Sequence, residues 1–246
     1  MAIFTRREGF GLNLVIAIAS VLYAALLVLF VLATKKTTAA NAIFLQYTAP
    51  VYVLVLEPIF FREKFRLRDF ITVAACLAGM TLFFVGKLRP EDVQGNLLAL
   101  CSGLCFACYF LLLRHDQARQ VNRASSVIYG NLLVVMLAAP AAAAVIGHVS
   151  PADLARIVYL GVVQIGVAYL LFTLAMARGV RSLDAGIIAY VEPVLNPIWV
   201  FLVIGERPTR WAIVGGAIII ASVLAHMLRS AKAGSLERDE PETPHK

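Results

Sequence analysis

Charge is scarce in this chain. Asp, Glu, Lys and Arg make up only 15% of its 246 residues, against roughly a quarter in a soluble domain. Hydrophobic residues reach 61%, with a mean hydropathy of +0.82. A water-soluble domain is excluded by that balance, and the chain reads as a membrane protein. Catalytic signatures are missing as well: there is no H-E-x-x-H, no phosphate-binding G-x-x-x-x-G-K-[ST] and no G-x-S-x-G. An intramembrane enzyme therefore has no catalytic pair to stand on. Neither ATP nor any other cofactor is expected.

Histidine and cysteine are few and badly placed for metal chemistry. His115 and His148 lie near opposite faces, His226 sits near a helix end, and His245 is in the tail. The cysteines (Cys76, Cys101, Cys105, Cys108) all lie inside apolar runs and say nothing about redox compartment. Cys101-x3-Cys105-x2-Cys108 has the spacing of an iron–sulfur loop, but no α/β pattern surrounds it. No metal site is expected.

What the chain does have is long apolar runs. They cover 10–34, 38–61, 70–86, 93–113, 124–147, 157–177, 183–204 and 211–228, each near the ~20 residues that span a hydrocarbon core. None alternates as a barrel strand does, so the expected class is all-α, a polytopic membrane protein with eight transmembrane helices. The first run is too long for a cleaved leader and reads as a signal-anchor. The polar stretch after Ser230 carries no apolar face and is expected to be disordered.

The net charge of +7 is a topology signal rather than a nucleic-acid signal. With eight spans, Lys and Arg divide 15 to 7 between the two faces. The positive-inside rule then places both termini in the cytoplasm, with the bundle in the inner (plasma) membrane.

Shifting the chain on itself by 143 residues aligns Ala42, Tyr47, Pro50, Val51, Glu63, Ala74 and Ala78 with Ala185, Tyr190, Pro193, Val194, Glu206, Ala217 and Ala221. The two copies of the Pro-containing run leave the membrane on opposite sides, which is the inverted-repeat plan of secondary transporters. The expected division is a three-helix half at 1–92, a five-helix half at 93–229 and a tail at 230–246. Ala74-x3-Ala78 and Ala217-x3-Ala221 are small-residue pairs suited to close helix packing.

One run contains what lipid should reject: AYVEPVLNPIWV, residues 189–200. Pro193 and Pro197 withhold helical donors. Glu192, Asn196 and Trp199 fall at i, i+4 and i+7, on one helical face. A carboxylate at the bilayer centre costs at least ~2–3 kcal/mol. Two readings stand side by side: a midplane binding site, or a kinked helix whose neutral Glu192 bonds a neighbour. If the first holds, Glu192 is also placed for proton exchange, since desolvation favours its protonated form.

In the first copy, Gln46 stands on the matching face, either lining the cavity or bonding another helix. Tyr47 and Tyr190 are equivalent and suited to packing or gating. Glu57, about one turn from Arg62, is expected to snorkel to the cytoplasmic interface. Glu63 and Glu206 end helices on opposite faces, as helix-end acids or as gate ion-pair members.

The stretches ANAIFLQYTAPVYVLVLEPIFFREKFRLRDF and DAGIIAYVEPVLNPIWVFLVIGERPTRW resemble the segments around the fourth and ninth helices of the EamA-type drug/metabolite transporters. Gly205-Glu206-Arg207 matches the family's turn, and Arg62-Glu63-Lys64 matches with Arg for Gly. The resemblance implies transport of a small metabolite, amino-acid-like compound or drug, outward, by alternating access of two inverted halves. The substrate site would be Glu192, Asn196 and Gln46, with Trp199 and Tyr190 supporting. Expected partners are the small-molecule substrate, membrane lipid, coupling protons and a second copy in a homodimer, with no nucleic acid. Family members have ten helices, so this chain stands as three plus five, lacking the first two. A rival follows: a truncated, non-transporting membrane protein or a subunit that needs a partner to complete its bundle.

Overall fold

The computed structural model describes residues 11–62, 64, 66–86, 88, 90–205 and 209–239, and every regular element among them is helical. The helices are α1 (Leu14–Lys36), α2 (Ala39–Gln46), α3 (Ala49–Phe61), α4 (Leu67–Phe83), α5 (Val93–Arg114) and α6 (Ala124–Val145). After them come α7 (Pro151–Tyr159), α8 (Ala168–Ala177), α9 (Ser182–Ala189), α10 (Val191–Ile204) and α11 (Arg210–Asp239). A 3-10 turn (Asp116–Gln120) joins α5 to α6, and a π-helical stretch (Leu160–Val167) joins α7 to α8.

All eight apolar runs are helical. Six continuous stretches are long and apolar enough to cross a membrane. The other two are the α4 run, which has 17 residues, and the run containing Glu192, which is interrupted at Tyr190.

That interruption has a twin 143 residues earlier. α2 ends at Gln46 and α3 begins at Ala49, so the break falls on Tyr47 and Thr48, as the other falls on Tyr190. The prolines explain both restarts. Pro50 and Pro193 sit in the first turn of α3 and α10, where a missing N–H leaves no helical bond unmade. Each run thus becomes two helical pieces that meet at the break. The far ends match too: Arg62 (φ 53°) and Gly205 (φ 81°) terminate α3 and α10 in the left-handed conformation.

α5 is the packing centre. Its small residues Gly95, Ala99, Ser102, Gly103 and Ala107 repeat at helical spacing and are all buried. α1 lies along one side and α2 with α3 along another. At Gly103 an added Cβ would stand 2.8 Å from the Gln46 carbonyl oxygen, so only glycine lets α2 come this close. Tyr23, Tyr109, Phe110, Leu113, Leu183, Ile187 and Tyr190 fill the core beside it.

Two expectations are corrected here. α4 and α11 do pack together, but not through the alanine pairs. Ala74, Ala78, Ala217 and Ala221 are exposed, while Cys76, Gly79, Met80, Gly215, Gly216 and Ile219 form the buried seam. Spacing alone does not say which face of an all-apolar helix is inside. A Cβ on Gly79 would meet the Gly215 carbonyl oxygen at 2.8 Å. Gly79→Val is therefore expected to cost about 1–3 kcal/mol by overpacking, read as a lowered thermal midpoint in detergent, with Ala74→Val close to neutral. The second correction concerns the tail. α11 runs on to Asp239, nine residues past Ser230, because Ala-Lys-Ala and Leu-Glu-Arg are good helix formers that continue an existing helix.

Candidate functional site

Glu192 opens α10 and Tyr47 sits in the break between α2 and α3. The Tyr47 hydroxyl donates to Glu192 Oε2 at 2.6 Å, a length typical of a charge-assisted bond. The Tyr47 and Tyr190 rings lie beside it, centroids 6.0 Å apart and tilted by 36°. The contact therefore joins the breaks of the two equivalent runs. Tyr190 itself is fully buried, and its hydroxyl has no hydrogen-bond partner among the described residues. Behind this pair, Tyr169 packs edge-on to Tyr23 at 4.8 Å, and Phe172 lies against Tyr109 and Phe110. Among the described residues Glu192 has no basic partner.

The other expected site residues are dispersed. Gln46 donates to Ser102 Oγ at 2.8 Å, and Ser102 passes the bond to the Leu26 carbonyl oxygen at 2.8 Å. It ties α2 to α5 and α1. Trp199 shares α10 with Glu192 but is 60% exposed. Asn196 falls on the same helix, and its side chain lies outside the described residues, as do Glu63 and Glu206.

A second polar constellation escaped the sequence reading. Glu57 does not snorkel; it is buried, 2% exposed, between two arginines. Arg114 Nη1 donates to Glu57 Oε1 at 2.8 Å and Arg181 Nη2 to Glu57 Oε2 at 3.0 Å. Arg181 Nη2 also reaches Asp69 Oδ2 at 3.0 Å, and Asp69 is equally buried. On the far side His226 Nε2 is 2.7 Å from Asp184 Oδ1, with His226 Nδ1 3.9 Å from Asp69 Oδ1. The guanidinium of Arg114 stacks over Phe61 at 4.7 Å. The network binds α3 and α4 to α5, α9 and α11. Each member sits near the end of a run, where a lone charge is unremarkable, and the hydrogen-bonded partners are 42 to 124 residues apart. A local contact is the 4.0 Å approach of Arg181 to Asp184.

At the opposite end, among the described residues, side-chain hydrogen bonds join α2 to the start of α5. Asn41 Nδ2 donates to Asn96 Oδ1 at 2.8 Å and to Thr37 Oγ1 at 2.9 Å, and Thr37 Oγ1 donates to Asp92 Oδ2 at 3.0 Å.

With this geometry in place, comparison with known proteins is decisive at the family level. The model of the EamA-like transporter family matches residues 1–85 and 93–228. The chain belongs to the EamA-like transporter family. Relatives of this EamA-like chain carry the same general description. An uncharacterized transporter of Archaeoglobus fulgidus is 29% identical over 197 residues, covering 79% of this chain and 69% of the relative. The uncharacterized transporter YdfC of Bacillus subtilis is 26% identical over 210 residues, covering 82% and 67%. One crystal structure shares the fold, with a TM-score of 0.75 at 19% identity over 89% of this chain and 77% of that one. The protein is a multi-pass membrane transporter by family, and these findings point away from an enzyme.

Proposed function

We propose that this EamA-like chain is a secondary transporter that exports small metabolites, amino-acid-like compounds or drugs by alternating access, with the Tyr47–Glu192 contact at the centre of its path. All eight apolar runs cross the inner membrane, and both termini are cytoplasmic. The observation that carries the reading is the meeting of two equivalent helix breaks, one from each copy of the repeat, at a single carboxylate. Irregular backbone at membrane depth persists only where it lines a cavity or is buried in protein. Glu192 has aromatic rings beside it and no basic partner among the described residues, an environment that attracts a cation. Within the substrate classes named, solutes with a protonated amine are favoured.

The experiment is ligand-dependent stabilisation of the purified protein. Amine solutes should raise the thermal midpoint saturably, by the linkage that gives about 2.7 kcal/mol at a hundredfold excess over Kd. Matched carboxylic acids should not. If neither class shifts the midpoint of a monodisperse sample, the binding-site reading fails.

One observation favours a second reading, a subunit completed by a partner. α1 is covered by α5 and α6, whereas the first half of its repeat counterpart, 157–179, is bare: no residue from Pro151 to Val167 is buried, and burial resumes at Thr173 and Met176. Leu154, Ile157, Val158, Val162 and Val163 all point outward. Two further apolar helices laid on that face would complete the symmetry. On this reading the chain alone neither binds nor carries solute.

A further inference from the structure

We infer that the buried network of Glu57, Asp69, Arg114, Arg181, Asp184 and His226 is the latch that closes the solute path on the arginine-rich face and parts in every transport cycle. The inference rests on the transport reading above and names residues that reading does not use.

Three observations carry it. First, the network joins the two repeats. Glu57 and Asp69 belong to the first, and Arg181, Asp184 and His226 to the second. Beneath it α3 packs on α9, where Gly186 faces the Pro50 ring with 3.2 Å left for a Cβ.

Second, the closure is one-sided. The pairing equivalent to α3 on α9 is α10 on α2, and among the described residues α2 and α10 make no comparable contact. Nor can the other end form the same latch. At the offset of 143, Glu57 and Asp69 become Val200 and Ala212, while Arg181, Asp184 and His226 become Thr38, Asn41 and Phe83. Among the described residues the duplicated frame carries ionic closure at one end only.

Third, charges are a poor choice for a permanent seam and a good one for a seam that opens. Buried ion pairs are often no more stabilising than well-packed apolar residues of the same volume. When such a seam parts, however, each charged group recovers its hydration. An apolar seam of equal area exposes hydrocarbon to water and recovers nothing. A cavity lined by Leu54, Glu57, Lys64, Arg66, Asp69 and Arg181 lies against the network and brings polar groups up to its edge.

The test places a reporter cysteine at Leu54, which is buried and lines that cavity, in a chain whose four native cysteines are replaced by alanine. A membrane-impermeant thiol reagent is applied from each face of oriented vesicles. Glu57→Gln or Arg181→Gln should speed labelling at least tenfold from the arginine-rich face and leave it unchanged from the other. Arg181→Lys should restore slow labelling in part. Asp184→Asn, at a less buried site, serves if the first two fail to elute as monodisperse protein. Unchanged labelling in a monodisperse variant overturns the latch, as does an equal rise from both faces, which reports general loosening. Solute flux in the parent protein is read separately. Its absence alongside the one-sided rise counts against transport while supporting the latch, and its presence without that rise overturns the latch alone.

Discussion

Glu192→Gln is expected to lower the flux of amine solutes at least tenfold while leaving the fold intact. Glutamine keeps the length of the side chain, and its carbonyl oxygen can still accept the Tyr47 hydroxyl. What disappears is the charge. Hydrogen bonds and contacts to a charged group are worth roughly 1.5–3 kcal/mol against 0.5–1.5 for neutral ones, and 1.4 kcal/mol is a factor of about ten. A cation bound at Glu192 therefore loses most of its attraction. Tyr47→Phe removes only the donor at 2.6 Å and should reduce flux by a smaller factor, about two- to tenfold. Initial rates in proteoliposomes, with thermal midpoints as the control for folding, separate the two variants. Equal flux in wild type and Glu192→Gln would remove Glu192 from the path and leave its bond to Tyr47 as interhelical packing.

The largest loss of stability is expected from Arg181→Ala. Arg181 serves two carboxylates, Glu57 and Asp69, that are each 2% exposed. Breaking a buried pair from one side typically costs 3–5 kcal/mol, because an uncompensated charge remains inside. Here the lower end, about 3 kcal/mol, is expected, since Arg114 still holds Glu57 at 2.8 Å. Thermal or denaturant unfolding in detergent reads it. Arg156→Ala is the control: Arg156 and Asp153 pair at 2.7 Å but are 74% and 52% exposed, and a solvated pair contributes little. Removing it should leave the midpoint where it was. Equal effects of the two substitutions would mean that the Arg181 network is as wet as the surface.

Much of the fold is legible because its signals are local. Runs of about twenty apolar residues become helices with or without knowledge of their neighbours. Pro50 and Pro193 mark helix restarts through chemistry they carry themselves. Glu192 stood out because an acid beside prolines in an apolar run contradicts its surroundings, and it proved to lie at the meeting of the two breaks.

What was not legible depends on pairing at a distance. The inward face of α4 could not be chosen between an alanine pair and a glycine, because both faces are apolar. Gln46 was left open between a cavity and a helix contact, and Ser102, 56 residues on, is what it bonds. The Glu57–Arg181 pair spans 124 residues. His226 looked like a helix-end histidine until α9 brought Asp184 to 2.7 Å.

Solute flux by the wild-type chain alone decides whether this EamA-like protein is a working carrier. Purified protein is reconstituted into vesicles preloaded with an unlabelled amine solute, and entry of the labelled solute is followed over time. Saturable counterflow with no ATP present is the predicted result. No counterflow in vesicles holding monodisperse, folded chain, with no amine solute stabilising it, would contradict transport and bring forward the partner-dependent subunit.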